Sequence, residues 1–150
     1  MLNAIFSQTT LFKNLILVLK ELVVDCVIQC KHDGLFLQAM DASHVALCSF
    51  QLHSEGFKSY TCETEFDIGL HLPSLERILK CAKKEDTVCL KAQHDEDVLN
   101  IEFENTQSNK TSHYALKRML IDHVLHIACA LNLLTDLKMH GRFRIEGLLA

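Results

Sequence analysis

Three groups of residues in this 150-residue chain have side chains able to do chemistry. Asp41, Ser43 and His44 supply the acid, nucleophile and base of a hydrolytic triad. A triad is defined by convergence across a fold, and near-adjacent residues at the start of a strand point different ways, so no catalysis is expected from them. Cys26, Cys30 and His32 have the types of zinc ligands, as do His123, His126 and Cys129. On a strand, Cys26 and Cys30 would stand about 13 Å apart at about 3.3 Å per residue, too far for one ion. Three-residue steps on a helix drift by about 60° each, so the second trio converges only in part. Neither set has Cys-x-x-Cys spacing. Buried thiols and exposed histidines are the expectation for both, with no metal, cofactor or enzyme activity.

Positive charge is better ordered. The segment Thr9 to Leu22 reads as a helix, on which Lys13 and Lys20 fall about 20° apart at about 100° per residue. Leu11, Leu15, Val18 and Leu22 cluster opposite them and are expected to be buried. On a second helix, opened by Pro73 at its first position, Arg77, Lys80 and Lys84 share one side. Leu75, Ile78, Leu79 and Ala82 occupy the other. Two basic stripes on two helices suit a surface that tracks phosphates, which needs only positive charge at intervals. Ordinary solvated helix faces look the same on pattern alone. No aromatic residue interleaves the cations, so stacking on single strands is unsupported.

These helices sit among segments of period two. Val24 to Cys30 alternates as a strand, His32-Asp33-Gly34 forms a hairpin turn, and Leu35 to Ala39 and Val45 to Leu52 follow as strands. The second half repeats the order. Phe66 to Leu72 is a strand, the second helix follows, and Val88 to Ala92 and Val98 to Phe103 join across Asp95-Glu96-Asp97. Ser112 to Lys117 closes the unit. Strand, helix and three strands, twice over, with two helices on one face of antiparallel sheets, is an α+β arrangement. From His123 to Leu137 there are no turn signals, Lys138 to Ala150 shows no clear period, and a helix is the expectation for the tail.

Composition bounds the rest. Hydrophobic residues make up 49% and charged residues 23%, with five glycines and one proline, which excludes disordered and low-complexity classes. No run of about 18 uncharged apolar residues occurs, so no membrane span is expected. Leu11 to Val24 carries Lys13, Lys20 and Glu21 and no cleavage site, so it is not a leader peptide. Seven cysteines without such a leader fit reduced thiols in the cytosol or nucleus, where the sequon at Asn109 is silent. A net charge of −4 argues against a uniformly basic nucleic-acid binder, though not against one with its cations on a single face.

One stretch decides between the readings of the basic stripes. Gly34 to Phe57, GLFLQAMDASHVALCSFQLHSEGF, closely resembles the signature of the eukaryotic DNA sliding clamps, the proliferating cell nuclear antigen family. LFKNLILVLKEL, CETEFDIGLHLPSLERILKCAKKED and the strand around SHYALK are similar to the same family, without gaps from Met1 to about Asp122. The resemblance implies a clamp domain over residues 1–122 and a function as a polymerase processivity factor in DNA replication and repair, in the nucleus. In such rings double-stranded DNA is encircled, and helices line the hole. Lys13, Lys20, Arg77 and Lys80 match positions that face DNA. Met40, His44, Val45 and Leu47 match one wall of the pocket that takes docking peptides of replicative polymerase, clamp loader and other clamp-binding proteins. Cys81 and Tyr114 match the subunit-interface edge of a trimeric homo-oligomer.

The pattern is broken in places. Leu17 stands close to the basic stripe, Thr61 and Thr64 replace charged residues, and Arg77 replaces a lysine. Residues 123–150 have no family counterpart, and the second clamp domain is absent. A chain of this kind is expected to leave two sheet edges open, Val45 to Leu52 and Ser112 to Lys117. The alternative to tethering is a fragment that forms no ring and acts as a protein-interaction module or modulator of full-length clamps.

Overall fold

The computed structural model describes residues 1–6, 8–40, 46–120 and 142–147. Along the chain run β1 (Leu2–Phe6), α1 (Thr9–Leu22), β2 (Asp25–Lys31), β3 (Gly34–Met40), β4 (Ala46–His53), β5 (Phe57–Cys62) and β6 (Phe66–His71). Then come α2 (Leu72–Leu79), β7 (Thr87–Ala92), β8 (Val98–Asn105), β9 (Lys110–Lys117) and β10 (Arg142–Gly147). Two five-stranded sheets result, ordered β5-β1-β7-β8-β9 and β10-β4-β3-β2-β6, with every pair antiparallel. The expected α+β class and the strand-helix-three-strand repeat are both present.

Alternation makes the strands. In β8, Leu99, Ile101 and Phe103 are buried while their neighbours face outward. In β2 the buried members are Cys26, Ile28 and Cys30. Gly34 ends the β2–β3 turn at φ +149°, and a Cβ there would lie 2.0 Å from the Leu52 carbonyl oxygen. Only glycine lets β3 pair with His53 at this point.

The two helices pack against each other. α1 buries Thr9, Phe12, Ile16 and Leu19, with the Phe12 ring stacked 4.1 Å from Phe6 of β1. α2 buries Leu72, Leu75 and Leu79. This corrects the expected stripe of α1, because Leu11 is 52% and Val18 45% exposed, with Leu15 and Leu22 only partly buried. The helix carries two overlapping apolar stripes one residue apart, and the one containing the aromatic ring takes the core, where its larger area removes more surface from water.

Two seams join the sheets. The Tyr60 hydroxyl of β5 donates to the carbonyls of Lys31 (2.5 Å) and Gly34 (2.9 Å), and His32 Nδ1 lies 2.6 Å from the Cys62 carbonyl oxygen. On the other side the chain leaving β9 crosses to β6, where the Met119 amide donates to the Gly69 carbonyl at 2.8 Å. Arg118 pins this crossing. Its guanidinium donates to the carbonyls of Gln93 (3.0 Å), Glu96 (2.7 Å) and Asp67 (2.7 Å) and lies over the Phe66 ring.

Three findings depart from expectation. Strands β1 and β5 were not located by periodicity. Residues 142–147 form a strand where a helix was expected for the tail. That strand pairs with Ala46 to Gln51 of β4, so this part of the edge expected to be open is covered, and Val45 lies outside the described residues.

Candidate nucleic-acid interface

The cations expected to face DNA all come from the α1–α2 pair, but they are not equally free. Lys13 is half-buried, and its Nζ donates to the Ala82 carbonyl oxygen at 3.0 Å, just beyond the end of α2. Lys20 is also half-buried and reaches across to Glu76 at 3.5 Å, with Glu21 at 3.6 Å. Lys80, one turn along from Glu76, contacts the same carboxylate at 2.7 Å while staying largely exposed. Arg77 is exposed and makes no ion pair among the described residues. Lys83 and Lys84, just past α2, are exposed as well.

Glu76 is the residue that sequence reasoning missed. It is 7% exposed, and the hydrogen bond from Lys80, followed by the charge of Lys20, holds its carboxyl below the usual carboxylate range. One buried anion thus gathers a cation from each helix. The Glu76–Lys80 spacing of four residues was a readable signal, but the reach of Lys20 from the other helix was not.

The remaining solvent-facing part of α1 is less polar than a phosphate-tracking surface needs, since Leu11, Leu17 and Val18 are exposed on it. Positive charge is concentrated along α2 and in the groove between the helices. Glu63 and Asp95, in loops, are largely exposed carboxylates.

Cys81 and Tyr114 are brought together. The Cys81 thiol is exposed just past α2 and donates to the Arg77 carbonyl oxygen, and donation from the Tyr114 phenol to the Cys81 sulfur holds the phenol above its ordinary value. Tyr114 also tilts against Phe103, with ring centroids 5.4 Å apart. Strand β9, which carries Tyr114, has β8 as its one strand neighbour among the described residues.

Of the expected peptide-pocket wall, Met40 and Leu47 are paired in the β3–β4 register. His44 and Val45 lie outside the described residues, as do Asp41 and Ser43 and the trio His123, His126 and Cys129. Cys26 and Cys30 are buried on β2, where burial pushes the Cys26 thiol up to about 12 and Cys30 higher still. Neutral thiols of this kind pack as small apolar groups.

A model of the proliferating cell nuclear antigen N-terminal domain matches residues 1–126, past the expected boundary at Asp122. The chain belongs to the proliferating cell nuclear antigen family. Over 122 residues, 81% of the chain, it is 43% identical to the proliferating cell nuclear antigen of Chaetomium thermophilum, covering 47% of that protein. Over the same length it is 38% identical to proliferating cell nuclear antigen 2 of Drosophila melanogaster, covering 48%, and 38% identical to a probable DNA polymerase sliding clamp of Autographa californica nuclear polyhedrosis virus, covering 47%. The chain therefore spans about half the length of the curated relatives it matches. Its two sheets and paired helices are the α+β sliding-clamp domain of this family.

Proposed function

We propose that the chain works as part of a DNA sliding clamp, a processivity factor that holds replication and repair proteins on double-stranded DNA. The observation that carries this reading is the α1–α2 pair, which holds Lys20 and Lys80 on one buried carboxylate, with Lys13 on the Ala82 carbonyl and Arg77 exposed, in a domain of the proliferating cell nuclear antigen family. Cations spaced along a helix pair meet backbone phosphates and read no bases, which is what movement along DNA requires. A clamp performs no bond chemistry of its own, so no catalytic residue is assigned.

The partners follow from the same reading. Replicative polymerase, the clamp loader and other proteins with clamp-binding peptides dock on the wall formed by Met40, His44, Val45 and Leu47. Cys81 and Tyr114 mark the edge at which neighbouring clamp chains join in a homo-oligomer, a trimer in the family. The working compartment is the nucleus. Residues beyond the family match at 126 are an addition to the clamp domain that lends β10 to one of its sheets.

The test is binding to duplexes of unrelated sequence. Arg77→Ala and Lys80→Ala are expected to weaken binding in parallel for every duplex, each lowering the log–log salt slope by about 0.9. A loss that depends on DNA sequence, or no loss, would contradict contact through the backbone.

A further inference from the structure

Among the described residues one sheet ends in β5 and β9 and the other in β10 and β6, so β4 is an inner strand only because β10 lies beside it. β5 is tied to the β2–β3 turn through Tyr60 and Cys62, and β6 takes Met119. β4 takes β10 in a six-residue antiparallel register, from Arg142 opposite Gln51 to Gly147 opposite Ala46.

The register is matched to sequence. Phe143 and Ile145 stand opposite Phe50 and Cys48, two buried members of β4, whereas Arg142 and Arg144 stand opposite the more exposed Gln51 and Ser49. A one-residue slip would exchange the two sets, so the hydrophobic pattern specifies this pairing. β4 itself, ALCSFQLH, contains no Lys, Arg, Asp, Glu or Pro. It lacks the devices that keep a bare edge from pairing, as befits a strand that is always covered.

β9 is built differently. KTSHYALK has a lysine at each end. Antiparallel pairing of β9 with its own copy, in centred register, would set Lys110 against Lys117 twice, which is unfavourable. Pairing of β9 with β4 opposes no like charges. The open edge of one copy is thus suited to the covered edge of another, and that contact is head-to-tail.

We propose that β4 is a strand-accepting edge and that residues 142–147 are its intramolecular plug, which must leave before β9 of a second copy can pair there. β10 spans Ala46 to Gln51 and leaves Leu52 and His53 outside its register, so an eight-residue β9 has a foothold from which to displace it. The proposal stands on strand pairing alone and goes beyond the reading of the helix pair. Each can fail without the other, because none of the following readouts uses DNA.

The experiment compares the full chain with a variant carrying Arg144→Pro and Ile145→Pro. Adjacent prolines remove a ladder donor whichever of the two amides faces β4. Light scattering on a sizing column is expected to give one copy, 17.1 kDa, for the unaltered chain. The variant is expected to give at least twice that mass as concentration rises, and a peptide spanning residues 138–150, added in excess, to return it to one copy. A variant that keeps its circular dichroism and stays a single copy overturns the proposal, as does association that the peptide does not reverse. Hydrogen exchange on the unaltered chain tests the plug without any variant. Amides of Ala46 to Gln51 should be protected as well as those of β3, and exchange at the rate of an open edge overturns the proposal.

Discussion

Neutralising Glu76 should strengthen DNA binding even though it removes a stabilising contact. The carboxylate meets Lys80 at 2.7 Å and Lys20 at 3.5 Å, so two of the four cations are partly cancelled before any phosphate arrives. Glu76→Gln keeps the shape and removes the charge. If one to two further phosphates are then neutralised, the log–log slope of affinity against salt steepens by about 0.9 to 1.8. Between about 50 and 200 mM salt that amounts to an extra loss of about 3.5-fold to 12-fold relative to the unaltered chain. Lys20 is much the less exposed of the two, which favours the lower figure. Fluorescence anisotropy of a short labelled duplex, titrated at several salt concentrations, reads the slope directly. Urea unfolding run alongside should show the variant folded but less stable. A folded variant with an unchanged slope would refute the reasoning, because Lys20 and Lys80 would then be either clear of the DNA or uninfluenced by the carboxylate.

Arg118→Lys should lower unfolding stability by about 1–3 kcal/mol in urea, since one ammonium cannot serve three carbonyls spread over the β7–β8 turn and β6. A change within error would mean that the seam is held by Met119 alone. Gly34→Ala should cost at least about 1–3 kcal/mol, because φ +149° strains an alanine and its methyl would meet the Leu52 carbonyl. Near-neutral stability would show that the β3–β4 end relaxes freely. Acid should destabilise the chain through Glu76 and Glu102, whose carboxyls are held below their ordinary value of 4.5 by Lys80 and Lys91 respectively. The unfolded state takes up these protons first, so stability present above about pH 4.5 is lost as pH falls through the depressed folded values. Glu102→Gln should flatten this acid limb, and an unaltered limb would remove the Lys91 contact from the explanation.

Where apolar residues alternate strictly, the sequence reading and the structure agree, as for β2, β7 and β8. β5 escaped because its core contributions, Phe57 and Cys62, lie five residues apart with Tyr60 turned to a hydrogen bond between them. β1 has clean alternation at Leu2, Ala4 and Phe6, but five residues at the start of a chain are too few for a period to stand out. β10 alternates as well, yet its strand character is realised only against the matching face of β4, a long-range pairing that no local window contains. The error on α1 has another origin. Eight of its fourteen residues are apolar, so the wheel offers two adjacent stripes, and the choice is made by Phe6 on a different element.

The candidate interface was legible as a set of cations and not as an electrostatic object. Residue type and helical spacing place Lys13, Lys20, Arg77 and Lys80 on two helices, and family resemblance says which way those helices face. Neither says how much charge each residue keeps. That depends on contacts between elements: the Ala82 carbonyl accepting from Lys13, and Glu76 standing between Lys20 and Lys80. On the proposed reading, Arg77, exposed and without an ion pair among the described residues, is the position from which phosphate contact can be made at once, whereas Lys13, Lys20 and Lys80 must first exchange a protein partner for a phosphate. Such an exchange leaves Glu76 short of a partner, so it weakens each phosphate contact made through Lys20 or Lys80. A surface that is to move along a uniform polyanion is served by that balance, since each contact must be weak enough to be remade at the next phosphate.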